Sequence, residues 1–416
     1  MRIAYLLADP GIGVFDVKGA SVHVQEMVRA MRAAGHQVTV YCVRRGDKKG
    51  RESVPADLAD LEVVVETVDG PGLSADPRDR EERLHIAAQR LSDRALTTHH
   101  QEPFGLIYER YALFSEAGAR LSKALRDDEL PADAAAGHSD DNLGAPTVPL
   151  VVEVNAPLVD EQRAHRSLHD VTTALATTAR TLGAADLLSC VSAPVADWVR
   201  RTVPEAAERA RVVPNGVNTE RIRPAATVRK RDELVIGFVG TLKPWHGTET
   251  LLHAAARGPA HWQVEISGDG PARNELEELT AELGIEDRVT FHGAVNPESI
   301  PKMLHRLDVA VAPYPAPQNP GDHYFSPLKV YEYLAAGLAV VASGVGELPA
   351  LLGKGTRGLT VAPGDPEALH ETLLRLDDDA ALRTRLGRAA RDAAQTEHSW
   401  HARLTELLTT LEVTPA

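Results

Sequence analysis

The stretch Asp322-His323-Tyr324-Phe325-Ser326-Pro327-Leu328-Lys329-Val330-Tyr331-Glu332-Tyr333-Leu334-Ala335-Ala336-Gly337 decides how the chain is read, because a loop, a helix start and both signs of charge fall within it. Pro320, Gly321 and Pro327 break regular structure, while Val330, Tyr331, Leu334 and Ala335 recur at helical spacing. This predicts a helix from near Ser326, closed by Gly337, followed by a buried strand over residues 338–342. The start of such a helix points unpaired N–H groups and the positive end of its dipole at the loop, which favours an anion, and Lys329 adds a full charge. Glu332, roughly one turn on, falls on the same face. A carboxylate repels phosphate but accepts two hydrogen bonds from a sugar diol, so the ligand suited to both groups carries ribose and phosphates. Taken alone, a Ser-Pro helix start with Lys and Glu reads as a solvated cap.

Working outward, the same chemistry recurs upstream. Gly240-Thr241-Leu242-Lys243-Pro244-Trp245-His246-Gly247 follows a strand at 235–239 and opens a helix from about His246, a position where backbone amides and a lysine hold a diphosphate. Lys243 and Lys329 then converge on one polyanion from two loops, although each alone is a surface lysine. Ser267-Gly268-Asp269-Gly270-Pro271 is a second loop of this kind, with either close ligand approach or a tight turn as the reason for its glycines. Trp245 stacks on a ligand or closes its loop; the sequence leaves both open. Strands at 263–267, 289–292 and 309–313 alternate with helices at 272–283 and 297–305, and the tail from Pro366 is helical, with Trp400 as its aromatic anchor.

The first half has the same rhythm. Residues 2–43 read as strand, loop, helix over 20–34, and strand. Gly11, Gly13 and Gly19 do not make the dinucleotide fingerprint, so a nicotinamide site ranks low. Gly19 leaves the helix start uncluttered for a phosphate or a sugar, or serves only the turn. Further strands fall at 61–68, 105–108, 149–154 and 185–191, with helices at 80–96, 112–125, 160–182 and 194–201. Glu153 and Asn155 end one strand, where open α/β sheets bind ligands. His23, early on the first helix, is a further candidate, though a lone histidine there is commonly a surface or satisfied residue. Residues 127–147 collect Asp, Gly, Pro, Ala and His without period and read as a mobile insertion. Residues 221–231, charged and proline-bearing, read as a junction.

With 416 residues, two or three domains are expected. The formal charge of −14 argues against nucleic acid as a partner. Cys42 and Cys190, each inside an apolar run, read as buried free thiols, and no zinc, calcium or Walker spacing occurs. Apolar runs are too short to cross a bilayer, and the start reads as a strand and not as a signal peptide, so a cytoplasmic location is expected.

The segments Val213-Pro214-Asn215-Gly216-Val217, Gly268-Asp269-Gly270-Pro271, Val289-Thr290-Phe291-His292-Gly293, Asp308-Val309-Ala310-Val311-Ala312-Pro313 and Ser326 to Gly337, in this order, resemble the GT-B glycosyltransferases of family 4, the group 1 retaining transferases. The resemblance implies an α/β chain of two Rossmann-like, doubly wound domains facing across a cleft. Residues 1–210 would bind the acceptor, residues 211–393 the nucleotide sugar, and residues 394–416 would form a helix packing back on the first domain. It implies retaining transfer from a nucleoside diphosphate sugar, with uridine diphosphate as the first expectation, to a hydroxyl of a small-molecule or envelope acceptor. The group moved would be a hexosyl or N-acetylhexosaminyl unit. Neither a metal nor a resident cofactor is implied, and oligomerisation stays open. A nucleotide-sugar 2-epimerase or a non-catalytic nucleotide-sugar-binding subunit is the alternative.

By position, Glu332 matches the second Glu of the family's E-x7-E motif and takes the ribose. Leu328 and Lys329 fall where loop amides meet the phosphates, Gly19 matches the glycine-rich turn facing the diphosphate from the first domain, and Ser326 and Gly240 are further binding candidates. The first Glu of the motif is here Tyr324, with Asp322 as a substitute; Thr241 and His246 stand where the pattern has Arg and Lys. Lys243 and Lys329 would replace that charge and act catalytically, and Asn155 stands for the first-domain histidine. Glu153, Asn155 and His23 would serve the acceptor side.

Overall fold

A computed structural model describes residues 1–46, 54–68, 76–129, 148–165, 167–226, 232–318 and 323–411. The chain divides into two compact units, Met1–Pro214 with Arg403–Ala416, and Asn215–Ala402.

The first unit runs β1 (Arg2–Leu7), α1 (Gly19–Ala33), β2 (Gln37–Cys42), β3 (Glu62–Val65), α2 (Pro77–Gln101), β4 (Leu106–Arg110) and α3 (Ala117–Glu129). It continues through β5 (Leu150–Val154), α4 (Leu158–His165), α5 (Val171–Ala184), β6 (Leu187–Cys190), α6 (Ala193–Thr202) and β7 (Ala210–Val212). Among the described residues its strands form one seven-stranded sheet, β3-β2-β1-β4-β5-β6-β7, every pairing parallel. β1 is an apolar run, and β4 and β5 are apolar up to the buried charges Glu109, Arg110 and Glu153 near their ends, because helices cover a parallel sheet on both faces.

The second unit repeats the plan with β8 (Leu234–Val239), α7 (Thr248–Ala256), β9 (Trp262–Ser267), α8 (Arg273–Glu282), β10 (Val289–Gly293), α9 (Ile300–Leu304), β11 (Val309–Ala312) and α10 (Leu328–Ala335). After these come β12 (Ala339–Ser343), α11 (Leu348–Leu351), β13 (Leu359–Val361), α12 (Pro366–Asp378), α13 (Ala380–Thr396) and α14 (Trp400–Thr410). Among the described residues the sheet order is β10-β9-β8-β11-β12-β13, again parallel. Both units are therefore Rossmann-like, and in each the strand order reverses once, at β1/β4 and at β8/β11. At such a reversal the crossovers on either side diverge and leave a crevice beyond the strand ends.

Several boundaries differ from expectation for identifiable reasons. The helix expected at 160–182 is two, because Glu81 accepts hydrogen bonds from the backbone N–H groups of His169 and Asp170, and Asp170 in turn caps α5 through Thr173. The helix expected at 112–125 starts only at Ala117, since Phe114 sits at φ 62 and Ser115 spends its hydroxyl on Glu109. The helix expected near Ser326 starts at Leu328, after an extended Pro327. β13 and α11 were not foreseen, being too short to show a period. Trp400 is buried, and a methyl group at Gly216 would stand 2.8 Å from its backbone nitrogen, so the turn and the tail close on each other. Cys42 and Cys190 are both buried and neither is in a disulfide. Of the insertion expected at 127–147, residues 130–147 lie outside the described residues, as does Asp322, while 127–129 end α3. No helix among the described residues is long and apolar enough to cross a membrane.

Candidate functional site

The reversal in the second sheet is where Lys329 lies. Its Nζ stands 4.4 Å from the ring centre of Phe238, near the end of β8, and 5.2 Å from that of Tyr314, two residues past β11. Among the described residues it has no carboxylate or hydrogen-bond partner. Ring faces attract a cation but solvate it far less well than water does, and burial lowers the ammonium pKa to about 7. A counter-charge for it would have to come from solution. The start of α10 suits one as well, with no side-chain cap and no acidic residue in its first turn.

Glu332, one turn along α10, is partly buried; its Oε1 lies 3.5 Å from Nη2 of Arg221, whose other nitrogen donates to the Pro297 carbonyl. Lys329 and Glu332 are thus held on one short helix with a cation behind the carboxylate. Ser326, expected at the ligand, has its buried hydroxyl engaged within the protein: it accepts from the Asn215 N–H at 3.1 Å and donates to the Tyr331 hydroxyl. It ties the 215 turn to the helix start, leaving the Leu328 and Lys329 amides as the groups facing the loop.

The glycine loops pack on each other. A methyl group at Gly268 would stand 1.8 Å from the Gly240 carbonyl oxygen, and one at Gly270 2.2 Å from that of Leu242. For Gly268, expected to admit a ligand, the approaching backbone is the protein's own, so the tight-turn reading holds. Gly240, at φ 153, lets the Lys329 chain pass, its Cε being 3.0 Å from where a side chain would begin. Thr241 is exposed and contributes its carbonyl, 2.5 Å from Nδ1 of His246. That imidazole packs with Phe238, Trp245 and Tyr314 at 6.0, 6.3 and 5.9 Å between ring centres. Burial, then Lys329, then Lys243 push its pKa down to about 4, with the Thr241 bond opposing them. Lys243 and Lys329 therefore act on one imidazole, and Lys243 also lies 5.3 Å over the Trp245 ring.

In the first unit, Glu153 at the end of β5 is 4% exposed. Its carboxylate accepts from the Tyr108 hydroxyl and Arg110 Nη1, each at 2.5 Å, and from Asn155 Nδ2, while His23 Nε2 lies at 2.9 Å. Burial opposes its charge, yet His23 and Arg110 hold it well below the usual carboxylate range. Glu153, expected on the acceptor side, is enclosed here and holds His23 and Asn155 around itself. His23 lies on α1, Asn155 one residue past β5, and Arg110 and Tyr108 on β4, where Tyr5 of β1 packs 5.1 Å from the Tyr108 ring. Gly19 is exposed as the first residue of α1, whose start also lacks a side-chain cap.

The sequence reading did not single out Phe238, Tyr314, Arg221, Arg110 or Tyr108. Aromatic residues at or just past the ends of apolar strands were the available signal for Phe238, Tyr314 and Tyr108. Arg221 carries none, because its partner is 111 residues away.

Residues 17–221 match the glycosyltransferase family 4 and residues 219–393 the glycosyl transferases group 1. A 2-deoxystreptamine glucosyltransferase of Streptomyces kanamyceticus is 32% identical over 43% of this chain and 45% of its own. A D-inositol 3-phosphate glycosyltransferase of Streptomyces avermitilis is 33% identical over 50% and 48%. The chain thus spans about half the length of the curated relatives it matches. Among solved structures, a sucrose-phosphate synthase from Thermosynechococcus elongatus superposes with TM-score 0.70 at 23% identity, over 99% and 98% of the two chains. Anabaena HepE in complex with UDP does so at 0.68 and 18%, over 100% of both. These likenesses establish the fold.

Proposed function

The chain belongs to the group 1, family 4 glycosyltransferases of GT-B fold, and from that premise we propose that it moves a sugar from a nucleoside diphosphate sugar to an acceptor hydroxyl with retention at the anomeric carbon. The observation that carries this is the unpartnered ammonium of Lys329 at a bare helix start, with Glu332 one turn along. The first supplies charge for a diphosphate and the second a double acceptor for a ribose diol. UDP is the leading nucleotide, since HepE was solved with UDP and with UDP-glucose. A hexosyl or N-acetylhexosaminyl group and a small-molecule or envelope acceptor follow from the same reading.

In the step envisaged, the bond from the anomeric carbon to the phosphate oxygen breaks while the bond to the acceptor oxygen forms on the same face. The acceptor proton passes to the departing phosphate oxygen. Lys329, Lys243 and the Leu328 amide meet the charge that develops there, which is where a fixed cation accelerates a reaction most. Asn155 and His23, held by Glu153, are the groups that would orient the acceptor; Glu153 itself touches neither reactant. No bound metal is needed for this charge balance.

Thermal-shift screening against UDP-, GDP-, ADP- and dTDP-sugars tests the reading, because a ligand of the native state raises the melting point by mass action. A shift with one nucleotide class, followed by acceptor-dependent release of the diphosphate, is expected. Conversion of the nucleotide sugar without acceptor would point to an epimerase, and binding with no turnover to a non-catalytic subunit.

A further inference from the structure

The loop carrying Thr241, Lys243, Trp245 and His246 offers two kinds of contact that a diphosphate does not use. A carbonyl oxygen only accepts, so the 2.5 Å contact of His246 Nδ1 with Thr241 places the ring proton on Nδ1. While the ring is neutral, Nε2 is then a bare acceptor, and among the described residues it has no partner. A phosphate oxygen brings no hydrogen to such a nitrogen; a hydroxyl does. Beside it, Trp245 is 57% exposed and lies edge-on to the imidazole at 6.3 Å. An exposed indole next to a fixed acceptor matches a pyranose, which has an apolar C–H face and hydroxyl donors on its rim.

We propose that His246 and Trp245 form a subsite for the transferred sugar, with Nε2 accepting a hydrogen bond from one of its hydroxyls and the indole covering its C–H face. This rests on the nucleotide-sugar reading above. It assigns a neutral acceptor to the place where the family resemblance puts a phosphate-binding cation. The charged and titratable groups around the ring explain why it stays neutral. Burial disfavours a second proton most, Lys329 on α10 and Lys243 on its own loop repel it, and Tyr314 beyond β11 contributes no negative charge. The sugar hydroxyls thereby acquire a reader distinct from Tyr324, the position where the family's first motif carboxylate is missing.

The experiment has two arms. Nitrogen-detected histidine NMR of the free protein at pH 7 should show the His246 ring neutral with its proton on Nδ1. A doubly protonated ring, or a proton on Nε2, would overturn the proposal. Calorimetry with UDP and with UDP-glucose then separates sugar from phosphate. His246→Ala should weaken UDP-glucose about tenfold, one hydrogen bond's worth, while changing UDP less than about twofold. His246→Gln, which keeps an acceptor at similar reach, should recover part of that loss, and Trp245→Ala should show the same sugar-only effect. Equal losses for the two ligands would instead make His246 a phosphate contact. If the wild-type chain binds neither, the nucleotide-sugar reading fails and takes the subsite with it. The ligand-free spectrum tells that failure apart from an error about the ring.

Discussion

The Nζ of Lys329 stands 4.4 Å from the ring centre of Phe238, so the end of β8 and the start of α10 share one cation that no described side chain neutralises. A buried charge of this kind costs stability, since aromatic faces replace only part of its hydration.

Lys329→Met should therefore cut turnover by about 10²–10³, the usual loss on removing one contact to a leaving group, without lowering the melting temperature. A near-normal rate would take the lysine out of the chemistry. A collapsed melting curve would show that its role is in the fold.

Because the Lys329 pKa falls from 10.5 to about 7, diphosphate binding must compete with loss of its proton. An anion favours the charged form, so affinity for UDP should fall progressively as the pH rises from 7 to 9, at most about tenfold per unit for one linked proton. Arginine stays charged throughout, and Lys329→Arg should flatten the profile. A wild-type profile that is already flat would contradict the assignment.

Glu332 is assigned to the ribose hydroxyls. Calorimetry should find UDP bound more tightly than its 2′-deoxy analogue by the wild type, and Glu332→Ala should erase most of that difference. Persistence of the full preference in the variant would move the ribose elsewhere.

Glu109 gives a pH effect on stability that is independent of any ligand. Burial raises its pKa to about 7, against 4.5 for the free group, although Ser115 and the Gly118 N–H favour its charged form. The native state then holds the proton that the unfolded chain releases, so the stabilisation is complete below about 4.5 and is lost as the pH rises through 7. Urea midpoints should drop between pH 5 and pH 8, and Glu109→Gln should remove most of that slope.

Around Glu153, truncation to alanine leaves Arg110 buried with its carboxylate gone, and a loss of about 3–5 kcal/mol in unfolding free energy is expected by denaturant titration. A change under 1 kcal/mol would mean that water reaches the cluster.

How much of this was legible in the sequence follows from the range of the interactions involved. The alternation of apolar runs with amphipathic stretches gave both sheets, because a parallel strand covered on two faces is apolar over most of its length. Lys329 and Glu332 could be placed together because they share a helix, and helical spacing is local. Gly268 was ambiguous for a definite reason: a glycine marks close approach without saying of what, and here it is the Gly240 carbonyl. The enclosure of Glu153 was not legible, since its partners His23, Tyr108 and Arg110 come from α1 and β4, distant in sequence, and only their convergence encloses it. The engagement of the Ser326 hydroxyl was hidden in the same way, its partner Asn215 lying 111 residues away.

The central claim is that one helix start grips a nucleoside diphosphate through Lys329 and its ribose through Glu332. A crystal structure of the chain with UDP tests it most directly. The account predicts phosphate oxygens within hydrogen-bond reach of Lys329 Nζ and the Leu328 amide, with both ribose hydroxyls on the Glu332 carboxylate. UDP bound with its phosphates away from Lys329, or its ribose away from Glu332, would contradict it.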